Sequence, residues 1–397
     1  MATGLAPKTA VVFSGGGAYG AYEVGVLKAL TAGASAATHH TPLSPQIATG
    51  TSVGAFNAAL LAMYASEGAD RVAGLIENVW LKEVAEAPGR GNGVYRIRGN
   101  PLRYLDPETF QEPGEPFRSM ADAFALTQDW SMRLLRFAAG SGSLAERTSE
   151  LLDISSFISV EPFAQMLQRT LNLEAIRTSP LSLSIVATQW DTGTTKTFTN
   201  QDITGEDGSA VIMASAAIPG IFPPVKVHGQ EYVDGGVVLN TPLSTALNMG
   251  ATELHVIYMS PELRNVPVGG MNATIDTFDR VYHIMLATKI SEDIATARWI
   301  NEGIDVVSRL GGKDGKDSNV TLESERTFLR VASAIHRRMH SDKPYQPVTI
   351  HRHYPKKELG DALAVLNFEP ARLNEMIAAG EADAREHDCE AAGCVIP

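Results

Sequence analysis

The sequence predicts an α/β protein built on a mostly parallel sheet, and three observations carry that expectation. Thr9–Phe13 (TAVVF) is a short apolar, β-branched run that breaks into Ser14-Gly15-Gly16-Gly17-Ala18-Tyr19-Gly20 and resumes with helical spacing at Tyr22, Val26, Ala29 and Leu30. Gln46–Asn57 (QIATGTSVGAFN) repeats the order of apolar run, glycine turn and helix. Leu181–Thr188 and Leu254–Met259 read as core strands, because strands covered on both faces are almost continuously hydrophobic.

The first glycine loop has two readings. Glycines after a strand and before a helix let backbone N–H groups converge on an anion, and the helix dipole adds positive potential. Gly15, Gly17 and Gly20 satisfy the spacing of a dinucleotide loop. The same N–H groups suit an oxyanion hole for acyl transfer. A dinucleotide site needs an acidic residue about 20 positions on, to hold the ribose. No Asp or Glu occurs between Glu23 and Glu67. The second strand ends instead in Gly50-Thr51-Ser52-Val53-Gly54, a Gly-x-Ser-x-Gly turn. With 35 glycines in 397 residues the pentapeptide alone is open to chance. Adjacent parallel strand ends would nevertheless bring it beside the glycine loop, which favours acyl chemistry and Ser52 as nucleophile.

Further along, Ala55–Ala65 reads as a buried helix and Val72–Trp80 as its helical continuation. Pro88–Gly99 carries four glycines and Asn100–Pro116 four prolines, a surface excursion. Within it Phe117, Met120, Phe124, Trp130, Leu134 and Phe137 fall near helical spacing, as core or as a lid over the serine. Val160–Asn172 reads as an amphipathic helix, Asp191-Thr192-Gly193 as a turn and Lys196–Thr199 as a strand near an edge. In Val211–Val225 (VIMASAAIPGIFPPV) a helix of small residues is stopped by Pro219-Gly220. Glu231-Tyr232-Val233 is a strand arriving at Asp234-Gly235-Gly236, which local chemistry reads as a hairpin turn. Val281–Leu310 is helical with Ile290, Ile294, Ala297 and Ile304 on one face, and Leu322–Met339 follows a charged loop at Gly311–Asp317. Val348–His353 alternates as a strand, and Pro370–Arg385 makes a terminal helix.

Composition narrows the partners. A formal charge of −12 and pI near 5.3 argue against a nucleic-acid surface and against a polybasic membrane anchor. Contact with lipid is expected through apolar groups. Neither a secretory signal nor an apolar run of membrane-spanning length is read, so the expected location is cytoplasmic, with peripheral membrane contact. The cysteines, Cys389 and Cys394, lie in the last residues and match neither a zinc quartet nor a Cys-x-x-Cys pair. They read as tail residues able to pair with each other. No metal or cofactor is expected beside the motifs.

Four features in order make the chain resemble the patatin-like phospholipases: Gly15-Gly16-Gly17-Ala18-Tyr19-Gly20, Gly50-Thr51-Ser52-Val53-Gly54, Ala214-Ser215-Ala216-Ala217-Ile218-Pro219 through Pro224-Val225, and Asp234-Gly235-Gly236. The resemblance covers roughly residues 8–260. It implies a three-layer α/β/α fold and a Ser-Asp dyad that hydrolyses acyl esters of lipids. Carried over, Ser52 is the nucleophile, Asp234 the base, and the N–H groups of Gly15, Gly16 and Gly17 the oxyanion hole. Gly20, Gly50, Gly54, Gly235 and Gly236 support the motifs. Tyr19 stands where the family often has a cation, and Gly236 where many relatives have Ala.

The expected organisation is a core over 1–260 with a helical insertion at about 88–160. A C-terminal helical extension with a late strand, 261–397, packs on the same domain. Two other readings remain: an esterase of the α/β-hydrolase order, with a late base among His255, His283, His336, His340, His351, His353 and His387, or a nucleotide-binding glycine loop without esterase activity. A carboxylate near its ordinary value is a weak base for serine, so Asp234 is expected to be partly desolvated. Head group, acyl position, oligomeric state and any activating partner are not specified by these residues.

Overall fold

The computed structural model describes residues 8–87, 91–97, 158–205, 207–261, 294–304, 346–360 and 364–397. The first half runs β1 (Thr9–Phe13), α1 (Gly20–Thr31), β2 (Ile47–Thr51), α2 (Val53–Tyr64) and α3 (Ala69–Val79), whose end widens into a π turn at Trp80–Val84. A small antiparallel pair joins β3 (Arg96–Ile97) to β4 (Ile158–Ser159). Then come α4 (Glu161–Thr170), started by a proline in its first turn, and α5 (Leu173–Arg177), capped by the Asn172 side chain on Ala175 N–H. They are followed by β5 (Ser182–Gln189), β6 (Thr195–Thr199), α6 (Asp207–Ser215), β7 (Val225–Val227) and β8 (Gln230–Asp234). After the acid strand lie α7 (Gly236–Leu239), α8 (Leu243–Asn248), β9 (Glu253–Ile257), β10 (Thr349–His353) and α9 (Pro370–Arg385). The residues between 98 and 157, which include the aromatic stripe, and the expected helix at Leu322–Met339 lie outside the described residues.

The main sheet has the order β10-β9-β1-β2-β5-β8-β7, with β6 on β5. Strands β10, β9, β1, β2 and β5 are mutually parallel, whereas β6 and β8 run antiparallel to β5, and β7 pairs antiparallel with β8 and so regains the direction of β5. β1 explains the layering: Val11 and Phe13 enter one apolar cluster and Ala10 and Val12 the other, as the two-residue period of a strand requires. The larger cluster lies under α1, α2, α3 and α9, and the smaller joins α8 and the helical segment 294–304. Helices thus cover both faces of a mostly parallel sheet, the three-layer α/β/α arrangement expected from the sequence.

One register detail positions everything that follows. On β5, Val186 is paired with Thr51 and the next residue, Ala187, with Asp234. Strands β2 and β8 therefore meet end to end along one edge of β5, coming from opposite directions. The residue after β2 is Ser52 and the last residue of β8 is Asp234.

Candidate active site

Ser52 sits on a strained turn. Its φ of 57° and ψ of −126° lie where L-residues rarely go, a conformation costing of order 1–3 kcal/mol that the surroundings must hold in place. The flanking glycines make the turn sterically possible: a Cβ on Gly50 would strike the backbone of Gly54, and one on Gly54 would stand 2.6 Å from the Phe13 carbonyl. The Ser52 N–H donates to Ser215 Oγ at 2.9 Å, and that hydroxyl donates onward to the Val186 carbonyl at 2.6 Å. Ser215 thus pins the turn to β5.

Asp234 arrives from the other side and is not a hairpin residue. The chain passes directly from β8 into α7, and the carboxylate Oδ1 accepts the Gly236 N–H at 2.7 Å. The backbone is held by the end of α6: Asp234 N–H donates to the Ala217 carbonyl at 2.9 Å and Gly235 N–H to the Ser215 carbonyl at 3.3 Å. Ser215 is the last residue of α6, where a helix leaves its carbonyl without an intrahelical partner, and Ala217 lies two residues beyond. The Ser52 side chain lies beside the Asp234 carboxylate and favours its ionised form. Burial pushes Asp234 up from 3.8 to about 6, against the opposing pull of the hydrogen bonds from Ser52 and Gly236. A hydroxyl paired in this way can pass its proton to the carboxylate while attacking a carbonyl carbon.

The glycine loop lies next to the elbow because β1 and β2 are neighbours, with Phe13 opposite Gly50. Its three N–H groups are not equivalent. Gly15 N–H donates to the Asn240 carbonyl at 3.1 Å, and Asn240 Nδ2 returns a bond to the Gly15 carbonyl at 3.2 Å. Among the described residues, no acceptor meets the N–H groups of Gly16 and Gly17. The Gly15 N–H is thus held by Asn240, while those of Gly16 and Gly17 are left to meet a ligand. A second brace comes from α1, where Glu23 accepts the Ser14 N–H at 2.7 Å and an Asn57 amide proton at 2.7 Å, while Trp80 Nε1 donates to Asn57 Oδ1 at 2.8 Å. Burial raises Glu23 well above the ordinary carboxylate range.

Ser52 and Gly17 open onto a narrow apolar cavity walled by Phe56, Phe163, Met166, Ile218, Phe222 and Phe368. Four of the six come from runs whose purpose sequence reading left open, α4 and the Pro-rich stretch after α6. Tyr19, the residue at the position of the family's cation, is buried in the core and brings no charge to this cavity.

The histidines lie elsewhere. His255 is on β9 and His351 and His353 are on β10, two and three strands from β2 in the sheet order, or roughly 10–15 Å at about 4.8 Å per strand. All three are buried, and His387 packs against His353 with ring centroids 4.6 Å apart. His283, His336 and His340 lie outside the described residues. Sequence reasoning quoted Ser215 inside the third motif without giving it a role, and it missed Asn240, which carried no signal. It also took Cys389 and Cys394 as tail residues, whereas the fold brings them to His351 and His387.

A family model described as patatin-like phospholipase matches residues 11–247, more than half of the chain. No curated protein matches the sequence. Among solved structures the chain is similar to the crystal structure of VipD from Legionella pneumophila, at 14% sequence identity and a TM-score of 0.36. That similarity covers 96% of this chain and 66% of the other, so this chain spans just under two thirds of that structure's length. The matched region runs from β1 through α8 and contains the glycine loop, the serine elbow, Ser215 and the acid strand. On that match the chain belongs to the patatin-like phospholipase family.

Proposed function

We propose that this chain hydrolyses carboxylic esters of lipids, as a phospholipase A or lysophospholipase type of acyl hydrolase, through a Ser52-Asp234 dyad. The observation that carries the reading is the side chain of Ser52, which lines an apolar cavity, set beside a buried, proton-hungry Asp234. Ser52 Oγ attacks the ester carbonyl while Asp234 takes its proton. The carbonyl electrons move onto oxygen, which the N–H groups of Gly16 and Gly17 receive; such donors are worth about 10²–10³ in rate each. The tetrahedral adduct collapses, the bond to the leaving alcohol breaks, and Asp234 returns the proton to that oxygen. Water then attacks the acyl-serine, losing its proton to Asp234, and the fatty acid leaves as Ser52 is restored.

The cavity supports an aliphatic acyl chain, since its aromatic and Met walls offer no polar partner. A lipid surface as the source of substrate follows from the same chemistry, and the acidic chain has no charge match to nucleic acid. Among the described residues, the distance of β9 and β10 from Ser52 speaks against His255, His351 or His353 as the base, and the serine at the end of β2 speaks against nucleotide binding.

Release of fatty acid from mixed phospholipid and lysophospholipid micelles tests the reading. Ser52→Ala is expected to lower turnover by more than about 10⁴-fold. Retention of turnover in that variant, or saturable nucleotide binding with no ester turnover in the unsubstituted chain, would overturn it.

A further inference from the structure

Away from the serine, at the β10 edge of the sheet, the chain gathers four side chains of another chemistry. His351 projects from edge strand β10, while His387, Cys389 and Cys394 come from the segment after α9. One ligand atom from each lies within 4.8 Å of all the others. Cys389 Sγ is 3.4 Å from His351 Nδ1 and 3.4 Å from His387 Nε2, and Cys394 Sγ is 3.5 Å from the same His387 nitrogen. Thiol S–H and imidazole N–H bonds satisfy such contacts pair by pair, whereas one shared cation takes all four ligand atoms at once. Tetrahedral zinc bonds of about 2.3 Å to sulfur and about 2.0 Å to nitrogen place neighbouring S and N ligands about 3.6 Å apart.

We propose that His351, His387, Cys389 and Cys394 form a tetrahedral site for one divalent zinc-class cation, which staples the C-terminal segment to the edge of the sheet. The donor set is that of a structural zinc site, and two thiolates offset the two charges of the ion. Binding exchanges two thiol protons for the metal, with no change of oxidation state.

The surroundings hold these ligands in place. The His351 ring stacks on His255 at 4.9 Å between centroids, and the ladder with β9 fixes its backbone. Arg352 N–H donates to Cys394 Sγ at 3.3 Å, the kind of outer bond that supports a thiolate ligand. The loop between the cysteines is closed by Cys394 N–H on the Cys389 carbonyl at 2.9 Å, and by the Asp388 carboxylate accepting from Glu390 and Ala391. Just beyond, Val395 bridges to Ile350 on the edge strand. A cavity of about 250 Å³ lined by His353, His387 and Asp388 adjoins the cluster and gives an ion a path in. A second group, Glu253, His255 and His351, offers three ligand atoms and would leave a coordination position open, so it does not make a closed four-ligand structural site.

The test uses the full chain. Reduced protein is loaded with zinc, dialysed and measured for metal, and parallel samples take cobalt(II). The expected result is one metal per chain, a thiolate-to-cobalt charge-transfer band and the strong visible absorption of a tetrahedral centre. Cys389→Ser and Cys394→Ser should each weaken zinc binding by more than the about 10–100-fold that an outer-shell loss costs. Glu253→Gln should bind as before. Cobalt loading of the unsubstituted chain without the thiolate band overturns the proposal whether or not the variants fold. So does unchanged binding in both Ser variants, loss confined to Glu253→Gln, or a Cys389–Cys394 disulfide that forms in air regardless of stoichiometric zinc.

Discussion

Replacing Asp234 by Asn should make the protein more stable and inactive at once. In the folded chain burial lifts this carboxyl from 3.8 to about 6. Each unit corresponds to about 1.4 kcal/mol, so holding the ionised form in place costs roughly 3 kcal/mol at neutral pH. Because the folded value is the higher one, the contribution of Asp234 to stability is fully present below about pH 4 and lost as pH rises through about 6. Asn cannot ionise, its amide oxygen still accepts from Gly236 N–H, and the Ser52 hydroxyl can turn to accept from the amide NH2. Urea unfolding should therefore find the variant more stable by up to about 3 kcal/mol near pH 7.5, a midpoint shift of about 1 M. The difference should vanish near pH 4. Ester turnover measured on the same samples should fall by more than about 10³-fold. A variant less stable than the parent near pH 7.5, or one equally stable at both pH values, would refute the assignment of Asp234 as a desolvated base.

In the parent chain kcat/KM should rise about tenfold per pH unit below about 6 and level off above it, because only the ionised Asp234 can take the serine proton. A pH profile flat down to pH 4.5 contradicts this. Ser215→Ala removes the hydroxyl linking Ser52 N–H to the Val186 carbonyl; it should lower kcat by about 10²-fold with little change in KM and cost about 1–3 kcal/mol in an unfolding titration. Glu23→Gln leaves either Ser14 N–H or the Asn57 amide facing a donor, and calorimetry should show a loss of about 1–3 kcal/mol. Phe222→Ala widens the apolar cavity, so competition between short and long acyl esters should shift toward the longer by about tenfold or more.

Much of the fold was legible because it is written locally. A strand that breaks into glycines and then a helix leaves few alternatives, and two such units in succession dictate parallel neighbours, as β1 and β2 are. Ser52 was legible for the same reason, since Gly50 and Gly54 flank it in the chain as well as in space. Asp234 was ambiguous, because Asp-Gly-Gly suits a hairpin as well as a strand end. What decides it is the pairing of Ala187 with Asp234, a contact 47 positions away that local composition does not encode. Long-range hydrogen bonds also escaped: the capture of Gly15 N–H by Asn240 joins residues 225 positions apart, so three equal glycine donors were expected where two are free among the described residues. The histidines and cysteines of the C-terminal edge escaped for a different reason. His351 reaches its partners only because β10 is the edge strand along which the last segment returns.

The most direct test of the central claim is to expose the full chain to a fluorophosphonate ester probe and map the adduct by peptide mass. Attack by an activated serine places the phosphonyl group on Ser52, and labelling should be lost in Ser52→Ala and slowed by more than about 10²-fold in Asp234→Asn. An adduct on another residue, or an active preparation that takes up no probe at Ser52, would contradict the account.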